Sequence, residues 1–325
     1  MSKTRVLVCG ATGFIGRNMV EQLSQRDDLE IHAVRFNRPE YSCANVTWHQ
    51  ADLRDPATAK NIVSGMDVII QAAATTSGAK DIVQRPFIHV TDNAVMNSYL
   101  LREAYEQNVK QFIFFSCTVM YQSSEVALKE TDFDENQPLH PRYFGVGNTK
   151  IYIEKMLEFY AGLGDMKCTA IRHSNIYGPH DKFDLERSHV FGATVTKTMT
   201  ADDHISVWGT GEEERDLLHV DDLVKFVEAS MEKQPENYRL YNCGLGKATS
   251  IKDLVNKIVA ASGKNLKIEH DLSKPTIKTS LFLDNTLATT ELGWAPQVSL
   301  EDGIARTVQW WSDNIDSQTL KPKAA

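Results

Sequence analysis

Arg5-Val6-Leu7-Val8-Cys9-Gly10-Ala11-Thr12-Gly13-Phe14-Ile15-Gly16 is the stretch on which the reading of this chain turns. A short apolar run ends in three glycines spaced G-x-x-G-x-x-G, and from Arg17 onward Met19, Val20 and Leu23 recur on one side of a helix. In a strand–turn–helix unit the first glycine permits the tight turn and the second lets backbone approach a pyrophosphate. The third lets the helix pack closely on the sheet, and the helix N-terminus draws the phosphate charge. Any tight strand-to-helix turn can carry such glycines, so spacing alone decides little. Its place between an apolar strand and an amphipathic helix is what points to a dinucleotide. Gly10, Thr12, Gly13, Phe14, Ile15 and Gly16 are the loop residues expected to line it.

Composition sets the outer limits. The 325 residues are 42% hydrophobic and 24% charged, enough for one large or two modest domains with a real core. No uninterrupted apolar run is long enough to span a bilayer, and the N-terminal apolar run flows into the glycine turn without a signal-peptide pattern. Five cysteines (Cys9, Cys43, Cys117, Cys168, Cys243) stand without metal-ligand spacing, so no metal site is expected. An odd count suits free thiols in a reducing cytoplasm. A net charge of −8 argues against general nucleic-acid affinity.

Taken in order, the chain alternates strand and helix. Glu30–Val34, Val46–Gln50, Asp67–Ile70, Gln111–Phe115 and Lys167–Ile171 read as further strands, with helices over Asp92–Gln107 and Thr149–Leu163. Such alternation predicts an α/β fold, a doubly wound parallel sheet covered by helices on both faces. Beyond about Pro179 the pattern breaks into shorter, mixed elements. The expected layout is a dinucleotide-binding domain over residues 1–178, to which some later segments return. A mainly substrate-binding mixed α/β domain follows over 179–316, with a frayed tail from Ser317. At the end of the second strand an acidic residue would bond the adenosine ribose of NAD, but Arg35-Phe36-Asn37-Arg38 stands there. Arg35 and Arg38 either accept a 2′-phosphate, which tilts the expectation from NAD toward NADP, or are solvated loop arginines.

The chain resembles the extended short-chain dehydrogenase/reductase (NAD-dependent epimerase/dehydratase) family, in its nucleotide-sugar branch. The likeness rests on the glycine loop, Ala51-Asp52-Leu53, Ala72-Ala73-Ala74, Arg172-His173-Ser174-Asn175-Ile176-Tyr177-Gly178-Pro179 and Arg215-Asp216-Leu217-Leu218-His219-Val220-Asp221-Asp222. These occur in the family order between Arg5 and about Trp311. Tyr177–Phe183 with Ser188-His189-Val190, then Val207-Trp208-Gly209-Thr210-Gly211, Leu292-Gly293-Trp294 and Trp310-Trp311, most resemble the GDP-fucose synthase group.

In that family a Ser or Thr ending the fifth strand acts with a Tyr and a Lys four residues apart on a helix. The Lys lowers the Tyr pKa and binds the nicotinamide ribose, while the Tyr exchanges the sugar hydroxyl proton. Lys150 matches the lysine, yet four positions earlier stands Val146, which exchanges no proton. Three readings compete. Tyr143 substitutes, although seven residues make about 10.5 Å of helical rise where the family has about 6 Å, unless irregular backbone at Gly145-Val146-Gly147 closes the gap. Alternatively another hydroxyl, water or substrate group carries the proton, or the protein binds without turnover as a dinucleotide sensor or scaffold. In Ser116-Cys117-Thr118-Val119-Met120-Tyr121 the hydroxyl role falls to Thr118, or by register to Cys117.

The GDP-fucose synthase group also pairs a cysteine with a histidine for epimerisation. His189 matches the histidine, but Val119 or Met120 occupies the cysteine position unless the register shifts to Cys117. A 3,5-epimerase/4-reductase therefore stands as the alternative to redox at one carbon, the sugar C4, in surface-polysaccharide sugar biosynthesis. The resemblance further implies that Arg215 clamps the substrate diphosphate, that Asn175, His189 and Val190 line the sugar or phosphate, and that the substrate is GDP-linked. Trp208 walls the base or sugar, or else packs in a core. Asp221 and Asp222 are expected to cap the following helix. The family's basic pair near the C-terminus is replaced by Ser280 and Leu281, with Lys278 nearby. A homodimer through the helices from about Asp92 and Thr149 completes the expectation.

Overall fold

The computed structural model describes residues 2–75, 85–185, 188–273 and 279–315; Lys278 and the tail from Ser317 lie outside the described residues. The first half builds β1 (Thr4–Cys9), α1 (Phe14–Leu23), β2 (Leu29–Arg35), β3 (Val46–Gln50), α2 (Pro56–Val63) and β4 (Val68–Gln71). After them come α3 (Thr91–Glu106), β5 (Gln111–Phe115), α4 (Phe144–Ala161) and β6 (Lys167–His173). With β10 (Tyr238–Cys243) these strands form one parallel sheet ordered β3-β2-β1-β4-β5-β6-β10. The chain winds outward from β1 to β3, then crosses back to β4 and winds the other way. That reversal opens a crevice at the carboxyl ends of β1 and β4, where such sheets bind ligands.

The two-residue period of the strands sorts their side chains into two cores. Val6 and Val8 of β1 pack with Met19, Val20 and Leu23 of α1 and with α6 (Val220–Lys233). Leu7 and Cys9 turn to the other face, against Leu100 and Leu101 of α3 and Ile153 and Leu157 of α4.

The later segments make smaller layers. β7 (Asn175–Tyr177) and β11 (Ala248–Ser250) flank β9 (Glu214–His219), and β8 (His204–Trp208) pairs with β12 (Lys267–Asp271). Helices α5 (Val190–Thr200), α7 (Ile251–Ser262) and α9 (Leu300–Asn314) close a third core around Phe191, Val195, Leu254, Ile258, Ile304 and Val308. The short helix α8 (Thr286–Leu292) returns to the main body, where Leu292 joins the first core.

Three local expectations are corrected. The helix carrying Lys150 begins at Phe144, five residues before Thr149, and runs unbroken. Gly145 and Gly147 there do not loosen the backbone but allow close approach. A Cβ on Gly145 would come within 3.0 Å of Val90, and one on Gly147 within 2.8 Å of Leu139. Asp221 and Asp222 do not cap α6, whose N-cap is His219, its Nδ1 accepting from Asp221 N. Instead Asp221 takes a bond from Gln22 of α1, and buried Asp222 accepts the backbone N–H groups of Gln297 and Val298. Trp208 is not core: it is half exposed. All five cysteines are free thiols. Among the described residues no helix is long and apolar enough to cross a membrane.

Candidate active site

At the crevice, Gly10 holds φ +74°, and a Cβ there would sit 2.7 Å from the backbone of Ala73. A Cβ on Gly16 would collide with the Gly10 carbonyl, so α1 packs on the turn only because that residue is glycine. No side chain caps α1 and its first turn holds no acid, which leaves its backbone N–H groups free for an anion. A cleft of about 140 Å³ opens beside the turn, lined by Gly10, Arg35, Phe36, Asp52, Leu53 and Ala73 together with Ala74 and Met96. Ala72 N–H bonds the carbonyl of Cys9, which fixes the floor between β1 and β4. These residues fit a dinucleotide: the glycine cradle and open helix end suit the pyrophosphate, with Thr12, Gly13, Phe14 and Ile15 around it.

Arg35 lines the far end of the cleft, and Arg38 stands beside the glycine turn. Arg38 is exposed and reaches back, Nη1 donating to the Thr12 carbonyl at 3.2 Å. Arg35 lies half-buried with Glu40 at 3.6 Å. A third arginine, unremarked in the sequence, dominates here. Arg54 grips Asp52 with two bonds of 2.9 and 2.8 Å, reaches Asp92 at 3.0 Å, and stands 5.2 Å over the Phe36 ring. Asp52 is thereby held ionised, its carboxyl below the usual range because of Arg54.

Lys150 projects from α4 to the end of β5. Its Nζ donates to the Phe115 carbonyl at 2.7 Å and lies 4.5 Å over the Phe114 ring. Burial pulls its pKa down, while Cys117 and Glu154 act the other way. Cys117 and Thr118 follow directly on β5, both half-buried, and Val119 packs against α4 at Gly147. Burial raises the Cys117 thiol, and Lys150 opposes that rise. Lys150, Cys117 and Thr118 are thus brought together. Val146 sits one turn before Lys150 in regular helix. Tyr143 stands at the helix N-cap, its ring against His140, close enough to Arg215 to bear on its charge.

Beneath this floor runs a sealed polar network. Glu154, one turn past Lys150, takes two bonds from Arg172 (2.7 and 3.1 Å) and one from Ser116 (2.5 Å). Arg172 also reaches Tyr121, which donates to Asn242 at 2.8 Å. His173, next on β6, holds its Nδ1 2.7 Å from the Ser174 carbonyl and packs edge-on against Phe115. It lies inside a motif that carries the family likeness, but no spacing rule singles it out.

On the substrate side, Arg215 of β9 is half-buried and anchored by Nη1 to Thr279 Oγ1 at 2.5 Å and to the Glu214 carbonyl at 2.7 Å. No carboxylate oxygen lies within 4 Å of it among the described residues. Asn175 is engaged with the Asp216 carbonyl at 3.2 Å, joining β7 to β9. His189 is the exposed N-cap residue of α5, and Val190 opens that helix against the third core. Trp208 ends β8 with the Lys197 ammonium 5.8 Å over its ring. Ser280 bonds Glu214 and Ser123 and so works as a clasp between segments.

Comparison with known proteins follows the same lines. Residues 6–244 match the NAD dependent epimerase/dehydratase family. The chain is 28% identical to GDP-L-fucose synthase of Escherichia coli (strain K12), over 97% of this chain and 99% of that protein. It is 27% identical to GDP-L-colitose synthase of Yersinia pseudotuberculosis, over 94% and 97% of the two chains. A solved UDP-glucose 4-epimerase of Thermotoga maritima, crystallised with UDP-glucose, superposes with a TM-score of 0.85 at 26% identity, over 96% of this chain and all of that one. The chain belongs to the NAD dependent epimerase/dehydratase family, within the extended short-chain dehydrogenases/reductases.

Proposed function

We propose that the protein is an NAD(P)-dependent oxidoreductase acting at C4 of a GDP-linked sugar, oxidising a 4-hydroxyl or reducing a 4-keto group in the supply of surface-polysaccharide sugars. The observation that carries the reading is a half-buried guanidinium, Arg215, with no carboxylate partner among the described residues. It faces the start of the helix that presents Lys150. A planar, partly desolvated cation suits a diphosphate, which takes two charge-assisted bonds from its open prongs. Lys150 would hold the nicotinamide ribose, and Thr118 or Cys117 the reacting oxygen. The bound dinucleotide supplies the hydride chemistry. Buried Met120 and packed Val119 offer no second acid/base, which favours redox at one carbon over a double epimerisation.

Exposed Arg38 beside the glycine loop supports acceptance of a 2′-phosphate, so NADP is proposed alongside NAD. We also propose a cytoplasmic homodimer through α3 and α4. Incubating the purified protein with each dinucleotide and a panel of GDP-, UDP- and dTDP-sugars, while following nicotinamide absorbance, tests the reaction. Arg215→Ala should weaken nucleotide-sugar binding roughly 10–100-fold and leave dinucleotide binding unchanged. Equal loss for both ligands would remove Arg215 from the substrate side, and deuterium uptake at C3 and C5 would favour the epimerase/reductase.

A further inference from the structure

Phe115, the last residue of β5, is bracketed by two nitrogen groups. From α4, Lys150 Nζ donates to its carbonyl; from the end of β6, the His173 ring stands edge-on to its phenyl ring with centroids 6.2 Å apart. The His173 Nδ1 lies 2.7 Å from the Ser174 carbonyl oxygen. A carbonyl only accepts, so Nδ1 carries the proton, and in a neutral imidazole Nε2 is then the bare acceptor. Among the described residues the Nδ1 contact is the one hydrogen bond of the ring, and the side chain is only half-buried. The ends of β5 and β6 therefore present, side by side, an ammonium and a fixed imidazole lone pair.

We propose that His173 exchanges the proton of the reacting sugar hydroxyl, filling the role that Val146 cannot; the proposal rests on the redox reading above. In the oxidising direction the sugar O–H bond breaks and its proton passes to Nε2. The C–H electron pair leaves as hydride to the dinucleotide, and the carbon–oxygen single bond becomes a carbonyl. The imidazolium then releases its proton to solvent, and the reducing direction runs the same transfers backwards.

The surroundings keep the ring in the form this needs. Burial first, then the Lys150 ammonium on α4 and the His189 ring at the start of α5, which desolvation itself keeps from protonating, hold its pKa down to about 4, so it is neutral at pH 7. Across the sheet its register partner is Cys243, a buried thiol raised further by burial and hence uncharged. Its strand neighbour Arg172 is committed to Glu154, and Cys117 beside Lys150 is likewise a protonated thiol.

Two measurements on the full-length protein test the proposal. Long-range proton–nitrogen spectra of the nitrogen-labelled protein, with His173→Asn for assignment, should show the Nδ1–H tautomer at pH 7, titrating only below about pH 5. Lys150→Met should raise that midpoint. An Nε2–H tautomer, or a midpoint near the ordinary ~6.5, overturns the proposal. His173→Asn keeps an amide donor for the Ser174 carbonyl but removes the outer nitrogen. It should lower kcat by about 10²–10⁴-fold with dinucleotide Kd held within about threefold. His173→Gln, with a polar but non-titrating end, should stay equally slow. An active wild type matched by His173→Asn sinks the histidine alone. A wild type that turns over no nucleotide sugar sinks the redox reading, and the spectra still decide the tautomer.

Discussion

Replacing Arg172 by methionine should cost the fold about 3–5 kcal/mol, because it strands a buried carboxylate. The side chains of Arg172 and Glu154 are each 4% exposed, and the guanidinium spends its Nη2 and Nε on the two carboxylate oxygens at 2.7 and 3.1 Å. Its Nη1 reaches the Tyr121 hydroxyl at 3.1 Å and the Glu130 carbonyl at 3.4 Å, and its plane lies 4.9 Å from the Phe133 ring. Take it away and Glu154 retains one neutral donor, the Ser116 hydroxyl. The carboxylate must then protonate or admit water, and both outcomes are unfavourable. Removing Glu154 as well (Arg172→Met with Glu154→Leu) takes out the stranded charge and should recover most of the loss, since Tyr121 keeps its bond to Asn242. A double-mutant cycle read by urea unfolding should give a coupling of about 2–4 kcal/mol. The single variants should also weaken dinucleotide binding, because Ser116 follows the carbonyl that holds Lys150. A single change costing under about 1 kcal/mol, or strict additivity, would refute the argument that this pair is sealed from solvent.

Four shorter expectations accompany it. Gly16→Ala sets a methyl against the Gly10 carbonyl, and calorimetry should find dinucleotide binding lost together with about 1–3 kcal/mol of stability; unchanged affinity would mean the cradle is not the pyrophosphate site. Asp216 is fully buried and its carboxyl is raised to about 6, despite N–H bonds from Leu245, Gly246 and Leu283. Its folded pKa exceeds the unfolded ~3.9, so its stabilising contribution is present below about pH 4 and lost as pH rises through about 6, on the order of 3 kcal/mol. Asp216→Asn should flatten that part of the stability–pH curve whatever it costs outright, and a parallel curve would contradict the raised pKa. Val146→Tyr in the His173→Asn background should restore turnover by at least about tenfold, because a phenol one turn before Lys150 offers a new proton group; no gain would show that Val146 faces elsewhere. Tyr152 and Phe159 of α4 are 50% and 61% exposed, and light scattering should report a dimer that Phe159→Glu dissociates.

The fold was legible wherever a local rule coincided with the tertiary answer. Leu7 and Cys9 alternate with Val6 and Val8 because the sheet is covered on both faces, and the strand-to-helix punctuation at Gly10 shows the same thing in one dimension. Two features lay beyond local rules. Tyr238–Cys243 is not among the strands read from the sequence, and its place as the seventh strand of the first sheet depends on a pairing with β6 across some seventy residues of intervening chain. The first turn of α4 contains two glycines, poor helix formers taken singly. Packing against Val90 and Leu139 outweighs that propensity and extends the helix to Phe144.

That extension bears directly on the site. With α4 regular from Phe144, Tyr143 and Lys150 stay nearly two turns apart, and Tyr143 turns toward Arg215 while Lys150 turns toward Phe115. The glycine cradle could be read from sequence because backbone clearance permits only one residue type at Gly10 and Gly16. Proton exchange obeys no such rule: any titratable atom within reach of the substrate oxygen will serve, and reach is decided by which strand ends lie side by side. β5 and β6 are adjacent, with Phe115 registered on Ile171, so the residue two positions beyond that partner arrives beside Lys150. In this chain that residue is a histidine whose near nitrogen is already committed to Ser174. A site that has given up its phenol at Val146 thus keeps, one strand over, a lone pair held at a fixed angle beside the same ammonium.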